Sequence, residues 1–147
     1  MVQNDDDPQD INPDNQELLL LGNEFKLLGF SIIGKSSTGS INTQFRRFKS
    51  HFGIDWFLCA KLWVLLIPIL YDQSHPKGAK TKHLLWTLMF LRLYDTEEIL
   101  SGKVTADEKT FRKWVWIFID YIYYLQVDFV SCFYFILFLC HFYLPIY

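Results

Sequence analysis

At 147 residues, 51% of them hydrophobic and 18% aromatic, the chain has material for one buried core and is too short for several. Its net charge of −2 conceals a segregation: residues 1–24 carry seven acids and no base, while residues 25–128 carry all fourteen bases and nine acids. The folded part is therefore mildly basic, which suits an anionic partner without demanding one. Cys59, Cys132 and Cys140 are odd in number and lack CxxC spacing, which argues against a disulfide framework. The acidic, polar start does not read as a signal peptide, so reduced thiols in a cytosolic or nuclear protein are expected.

In chain order, residues 1–16 are Asp, Asn, Gln and Pro with too little apolar surface to offset the entropy of ordering. Residues 17–33 admit a short amphipathic helix interrupted at Gly22 and Gly29, and residues 34–42 have the composition of a flexible linker. Residues 1–42 are accordingly expected to be an acidic, largely disordered tail and linker, with the folded region, residues 43–128, beginning at Thr43. Residues 44–51 form a short basic and aromatic helix ended by Gly53. Asp55 caps a helix from Trp56 to about Ile67, which Pro68 closes or kinks. A polar loop, residues 71–81, precedes a helix over residues 82–94 that is apolar nearly all round and therefore central. No segment alternates with period two, so the expected fold is all-α.

Residues 100–116 (LSGKVTADEKTFRKWVW) carry the strongest local signal. Thr96 starts one helix, a tight turn follows, and Asp107 caps a second helix reaching about Leu125. Leu100, Ser101, Val104, Ala106, Phe111 and Trp114 are the expected buried positions. Two helices joined so closely cross steeply, the arrangement by which helix-turn-helix proteins place a helix in the DNA major groove. Lys109, Thr110, Arg112 and Lys113 then lie in the first turns of the second helix. Arg112 and Lys113 face away from the stripe of Phe111, Trp114, Val115 and Phe118. Arginine reads guanine bidentately and lysine neutralises phosphate, so these four are candidate DNA contacts. The alternative is that the bases are the wet face of an amphipathic helix, and Asp107 and Glu108 at its start would repel phosphate. Arg46, Arg47 and Lys49, interleaved with Phe45, Phe48 and Phe52, offer a second phosphate-contacting surface or another wet face. Lys77, Lys80 and Lys82 around Gly78 either touch a nucleic-acid backbone or simply solubilise a loop.

Residues 129–147 (FVSCFYFILFLCHFYLPIY) carry no formal charge and have about the length of a bilayer crossing. A tail anchor, a buried terminal helix and read-through of a T-rich stretch compete. Aromatics spread throughout, rather than at the ends, favour read-through over an anchor. No catalytic constellation emerges. His51, His75, His83 and His141 are scattered, no glycine-rich phosphate loop is present, and Asp120 with Asp128 is a weak carboxylate pair. Neither a metal, a cofactor nor a small-molecule substrate is expected.

Residues 78–120, with the His-Leu-Leu-Trp helix, the Tyr-x-Thr-Glu-Glu segment (residues 94–98) and the DEKTFRKWVW run, resemble the helical region ahead of the catalytic domain in Harbinger-type (PIF/Harbinger) transposases. Residues 45–66 look like the start of the same region. The resemblance implies an all-α, helix-turn-helix-like DNA-binding part of a DDE transposase. In that family DNA cutting and strand transfer fall to three metal-holding carboxylates on a separate RNase H-like domain. None of those carboxylates is matched here, so the resemblance implies a truncated, non-catalytic chain. Expected partners are DNA, an intact transposase or a second copy, in the nucleus. The alternatives are a single-pass membrane protein anchored through residues 129–147 and a protein–protein interaction module.

Overall fold

A computed structural model of the chain describes the backbone of residues 13–34, 38–72 and 76–143, and side chains within residues 14–125 of those spans. It is all-α, with six helices among the described residues: α1 (Pro13–Ile33), α2 (Ile41–Phe52), α3 (Trp56–Leu70), α4 (Thr81–Leu93), α5 (Glu97–Lys103) and α6 (Glu108–Tyr143). The expectations for residues 1–12, and for the side chains of the apolar segment 129–147, lie outside the described residues.

The starts of α2, α3, α5 and α6 carry a local reason. The Ser40 side chain accepts from the Thr43 amide (3.3 Å) and that of Asp55 from the amides of Phe57 (2.9 Å) and Leu58 (3.0 Å). Thr96 accepts from the Ile99 amide, and Asp107 accepts from Thr110 at the start of α6 (3.0 Å). These side chains satisfy amides that the first turn leaves without intrahelical partners. Pro68 does not end α3. It sits exposed in the last turn, and the helix continues to Leu70, three residues past the expected stop.

Helix α4 is central, touching every other helix. His83, Trp86 and Phe90, spaced on one stripe, meet α6: His83 stacks on Trp114 (4.2 Å, 9°), Trp86 meets Phe111 (5.7 Å) and Phe90 meets Trp116 (6.3 Å). Arg92, on the opposite face of α4, lies against Gly53 at the end of α2. A run of ring contacts continues outward from Trp114 through Phe118 to Trp63 of α3 and Phe25 of α1. A second aromatic cluster joins Phe30, Phe45, Phe48, Phe52 and Trp56 across α1, α2 and α3, with Phe45 flat on Trp56 at 4.0 Å.

The folded region thus begins well before Thr43. Helix α1 runs through Gly22 and Gly29 without interruption and buries Phe25 and Phe30 completely or nearly so. The two glycines are points of close approach: a β-carbon at Gly22 would stand 2.9 Å from Phe57 and one at Gly29 only 2.2 Å from Phe48. A glycine costs a helix up to about 1 kcal/mol against alanine, and here the lost propensity is offset by ring packing that no larger residue permits.

Gly29→Ala is expected to destabilise the chain by ~1–2 kcal/mol, because Phe48 is hemmed in by Phe30, Phe52 and Trp56 and overpacking outweighs the helix gain. Gly102→Ala, in α5 with open space around it, should instead stabilise by up to about 1 kcal/mol. Urea denaturation of the two variants separates packing from propensity, since both make the same chemical change.

Candidate nucleic-acid interface

The α5–α6 pair has the expected short connection and the expected buried positions. Leu100, Ser101, Phe111 and Trp114 are buried, while Val104 and Ala106 are half-buried. The turn closes with the Ala106 amide bonded to the Ser101 carbonyl and the Thr105 amide to that of Gly102. Thr105 takes φ +52°, a left-handed conformation that a β-branched residue adopts at a cost, so this turn is held by its surroundings rather than by its residue type.

The charges around this turn are largely spent within the protein. The Arg112 guanidinium donates from Nε to Glu97 of α5 and from Nη2 to Glu108 (2.6 Å) one turn back on α6. The hydrogen bond to Glu97, reinforced by its charge, raises the Arg112 pKa further above its ordinary value. Glu97 also accepts from Trp116 Nε1 at 3.3 Å, so one carboxylate ties α5 to two residues of α6. Lys103 pairs with Asp95 at 3.7 Å, and Thr110 gives both its amide and hydroxyl to Asp107. Arg112, expected to read guanine or phosphate, is thus an inter-helix clamp with its donors directed at carboxylates. Thr110 belongs to the cap.

Lys109 and Lys113 remain exposed on α6, one turn apart. Lys113 holds its ammonium 5.3 Å from the Trp114 ring. From the other side the loop before α4 reaches the same tryptophan: a β-carbon at Gly78 would stand 3.9 Å from Trp114 Cζ2. Lys80 donates its backbone N–H to His83 Nδ1 (3.1 Å), and Lys82 lies 5.3 Å over Trp86. Lys80, Lys82 and Lys113 therefore lie near the stacked His83–Trp114 pair, although they are dispersed in sequence. Two acids adjoin them: Glu24 accepts from the Thr81 hydroxyl (3.0 Å), and Asp72 shares with Lys77 the lining of a cavity of about 320 Å³ beside Trp63.

Arg46, Arg47 and Lys49 are not part of this surface. They ride on α2, which packs against the face of α4 opposite α6. Arg46 and Lys49 are exposed, whereas Arg47 is half-buried and donates to the Thr38 carbonyl at 3.1 Å. The two basic sets expected from the sequence are thereby separated by the body of the bundle.

Among the described residues no group of three or more His, Cys, Asp or Glu side chains is placed to hold a metal ion. Cys59 is fully buried, and desolvation pushes its thiol well above the usual range. No single helix among them is long and apolar enough to cross a membrane. The bent pair α2 and α3 passes such a test together, yet it carries the core residues Phe48, Phe52, Trp56 and Leu66. Compared with protein-family models, curated proteins and solved structures, the chain finds no match in any of the three.

His83 is the titrating group of this region. Burial, then the charges of Lys82 and Lys80, lower its pKa to about 4, and Nδ1 already accepts a hydrogen bond, so the ring sits neutral with its proton on Nε2. An unfolded histidine binds its proton near pH 6.5, so between pH 6.5 and 4 the unfolded state holds more protons than the folded one. Stability is expected to be full above pH 6.5, to fall as pH drops toward 4, and to lose no more through this group below that. Thermal melts from pH 7.5 to 4 on the parent and on His83→Asn check it: the variant should show the shallower pH dependence.

Proposed function

We propose that this chain is a transposase-derived, non-catalytic helical protein that binds DNA, and that its contact surface is the lysine cluster around the His83–Trp114 stack. The supporting observation is the placing of Lys80 and Lys82 at the start of α4, and of Lys113 on α6, beside that stack, with Lys109 one turn back on α6. A helix start normally favours acids, yet the first turn of α4 has none and is flanked by lysines, so the chain accepts an electrostatic cost there. Such a cost is offset when a polyanion neutralises the lysines and releases condensed counterions. The α5–α6 pair supports the reading as scaffold: the Arg112–Glu97–Trp116 clamp fixes the crossing that presents Lys109 and Lys113. Nuclear localisation goes with this function.

Lysines that contact phosphate position a protein without reading bases, so sequence-tolerant binding is expected. The salt dependence of binding to a duplex oligonucleotide, followed by fluorescence anisotropy, tests the assignment. Each of Lys80→Ala, Lys82→Ala and Lys113→Ala should flatten the log Kd against log salt slope by about 0.9, as for one lost phosphate contact. Arg112→Ala should leave the slope unchanged while lowering thermal stability. Equal slopes for parent and lysine variants would remove the cluster from the interface.

A second reading rests on the length of α6, whose backbone stays helical to Tyr143 and so extends into the uncharged stretch that begins at residue 129. In that reading the chain is anchored in a membrane by its C-terminal segment. Carbonate-resistant pelleting of the full chain, lost on removal of residues 129–147, is the result that would favour it over nuclear DNA binding.

A further inference from the structure

We propose that the groove between α1 and α3 docks a basic amphipathic helix of a partner protein. The two helices run antiparallel, with Lys26 and Phe30 of α1 near Trp56 at the start of α3. Their other ends part to leave a trough of about 680 Å³. Leu20, Leu21, Trp63, Val64 and Ile67 make its apolar lining, and Leu20 and Val64 are 66% and 46% exposed. Glu17, Glu24 and Asp14 stand along the same trough, and no base lines it.

Apolar floor, acidic rim and length together specify the occupant. From Asp14 to Glu24 the trough follows α1 for ~15 Å, about three helical turns. That is the reach of a helix laying side chains at i, i+3 or i+4 and i+7 into a groove. The apolar floor takes that stripe, and the carboxylates take lysines or arginines flanking it. The same carboxylates repel DNA and anionic lipid, so the groove and the lysine surface serve different partners and the inference stands apart from DNA binding.

The test uses the full chain and a fluorescein-labelled synthetic helix with leucines at helical spacing and lysine and arginine elsewhere. A second probe replaces every base with glutamate. Anisotropy should show saturable binding of the basic probe and none of the acidic one. Leu20→Lys and Val64→Lys, at exposed positions that tolerate a long polar chain, should each weaken binding at least tenfold. Leu27→Lys, exposed on α1 but outside the groove, should leave it unchanged. Equal binding of both probes would reduce the site to apolar adhesion and overturn the proposal, as would indifference to Leu20→Lys and Val64→Lys in variants with parent-like circular dichroism. Sedimentation adds one further outcome: a dimer of the parent that Leu20→Lys dissolves would make a second copy the occupant, and would also overturn it.

Discussion

The structure depends on the flat stack of His83 against Trp114, where α4 crosses α6. Imidazole serves here as a half-sized aromatic ring, thin enough for the helices to approach and polar enough at its edge to accept the Lys80 amide. That one contact fixes both the start of α4 and the rotation of α6 about its axis. Trp114 in turn leads to Phe118 and Trp63, and Trp86 to Phe111, so the ring network that unites α1, α3, α4 and α6 radiates from this point. Such a hub demands a neutral histidine. Lysines packed around it enforce neutrality by charge as burial enforces it by desolvation.

The same geometry explains why the proposed DNA surface differs from the one a helix-turn-helix pattern suggests. In that pattern the opening turns of the second helix face the nucleic acid. Here those turns carry Asp107 and Glu108 and face Glu97, and the single arginine among them is held by two carboxylates. An exposed ion pair contributes little to stability on its own, but the Glu97 carboxylate also binds the Trp116 indole, and three groups held together define an angle between helices better than one pair does. The positive surface is displaced around α6, to the side where Trp114 meets the loop before α4.

Much of the fold was legible because its signals are local. The caps at Asp55, Thr96 and Asp107, the apolar α4 and the short α5–α6 connection each follow from residues within a turn of one another. What escaped is long-range. Gly22 and Gly29 read as interruptions because a glycine's local effect is to weaken a helix, and only the distant Phe57 and Phe48 turn the missing side chains into contacts. The Glu108–Arg112 pairing was available from i, i+4 spacing, whereas Glu97 lies fifteen residues away on another helix. Likewise Lys80 and Lys82 were visible as bases, but nothing local placed them beside Lys113, or placed Arg46 and Lys49 behind α4.

The charge segregation of the sequence reappears in three dimensions as two neighbouring surfaces of opposite sign. The hydrogen bond from Thr81 to Glu24 marks their border, joining the acidic helix α1 to the lysine-flanked start of α4. A polyanion approaching the lysines is turned away from the groove by the carboxylates of α1, and a basic helix in the groove is turned away from the lysines. Because α1 packs Phe25 and Phe30 into the core, the carboxylates of Asp14, Glu17 and Glu24 are carried on the bundle itself. On the two proposed assignments, an anionic and a cationic partner are held at once on adjoining faces, each kept from the other's site by charge.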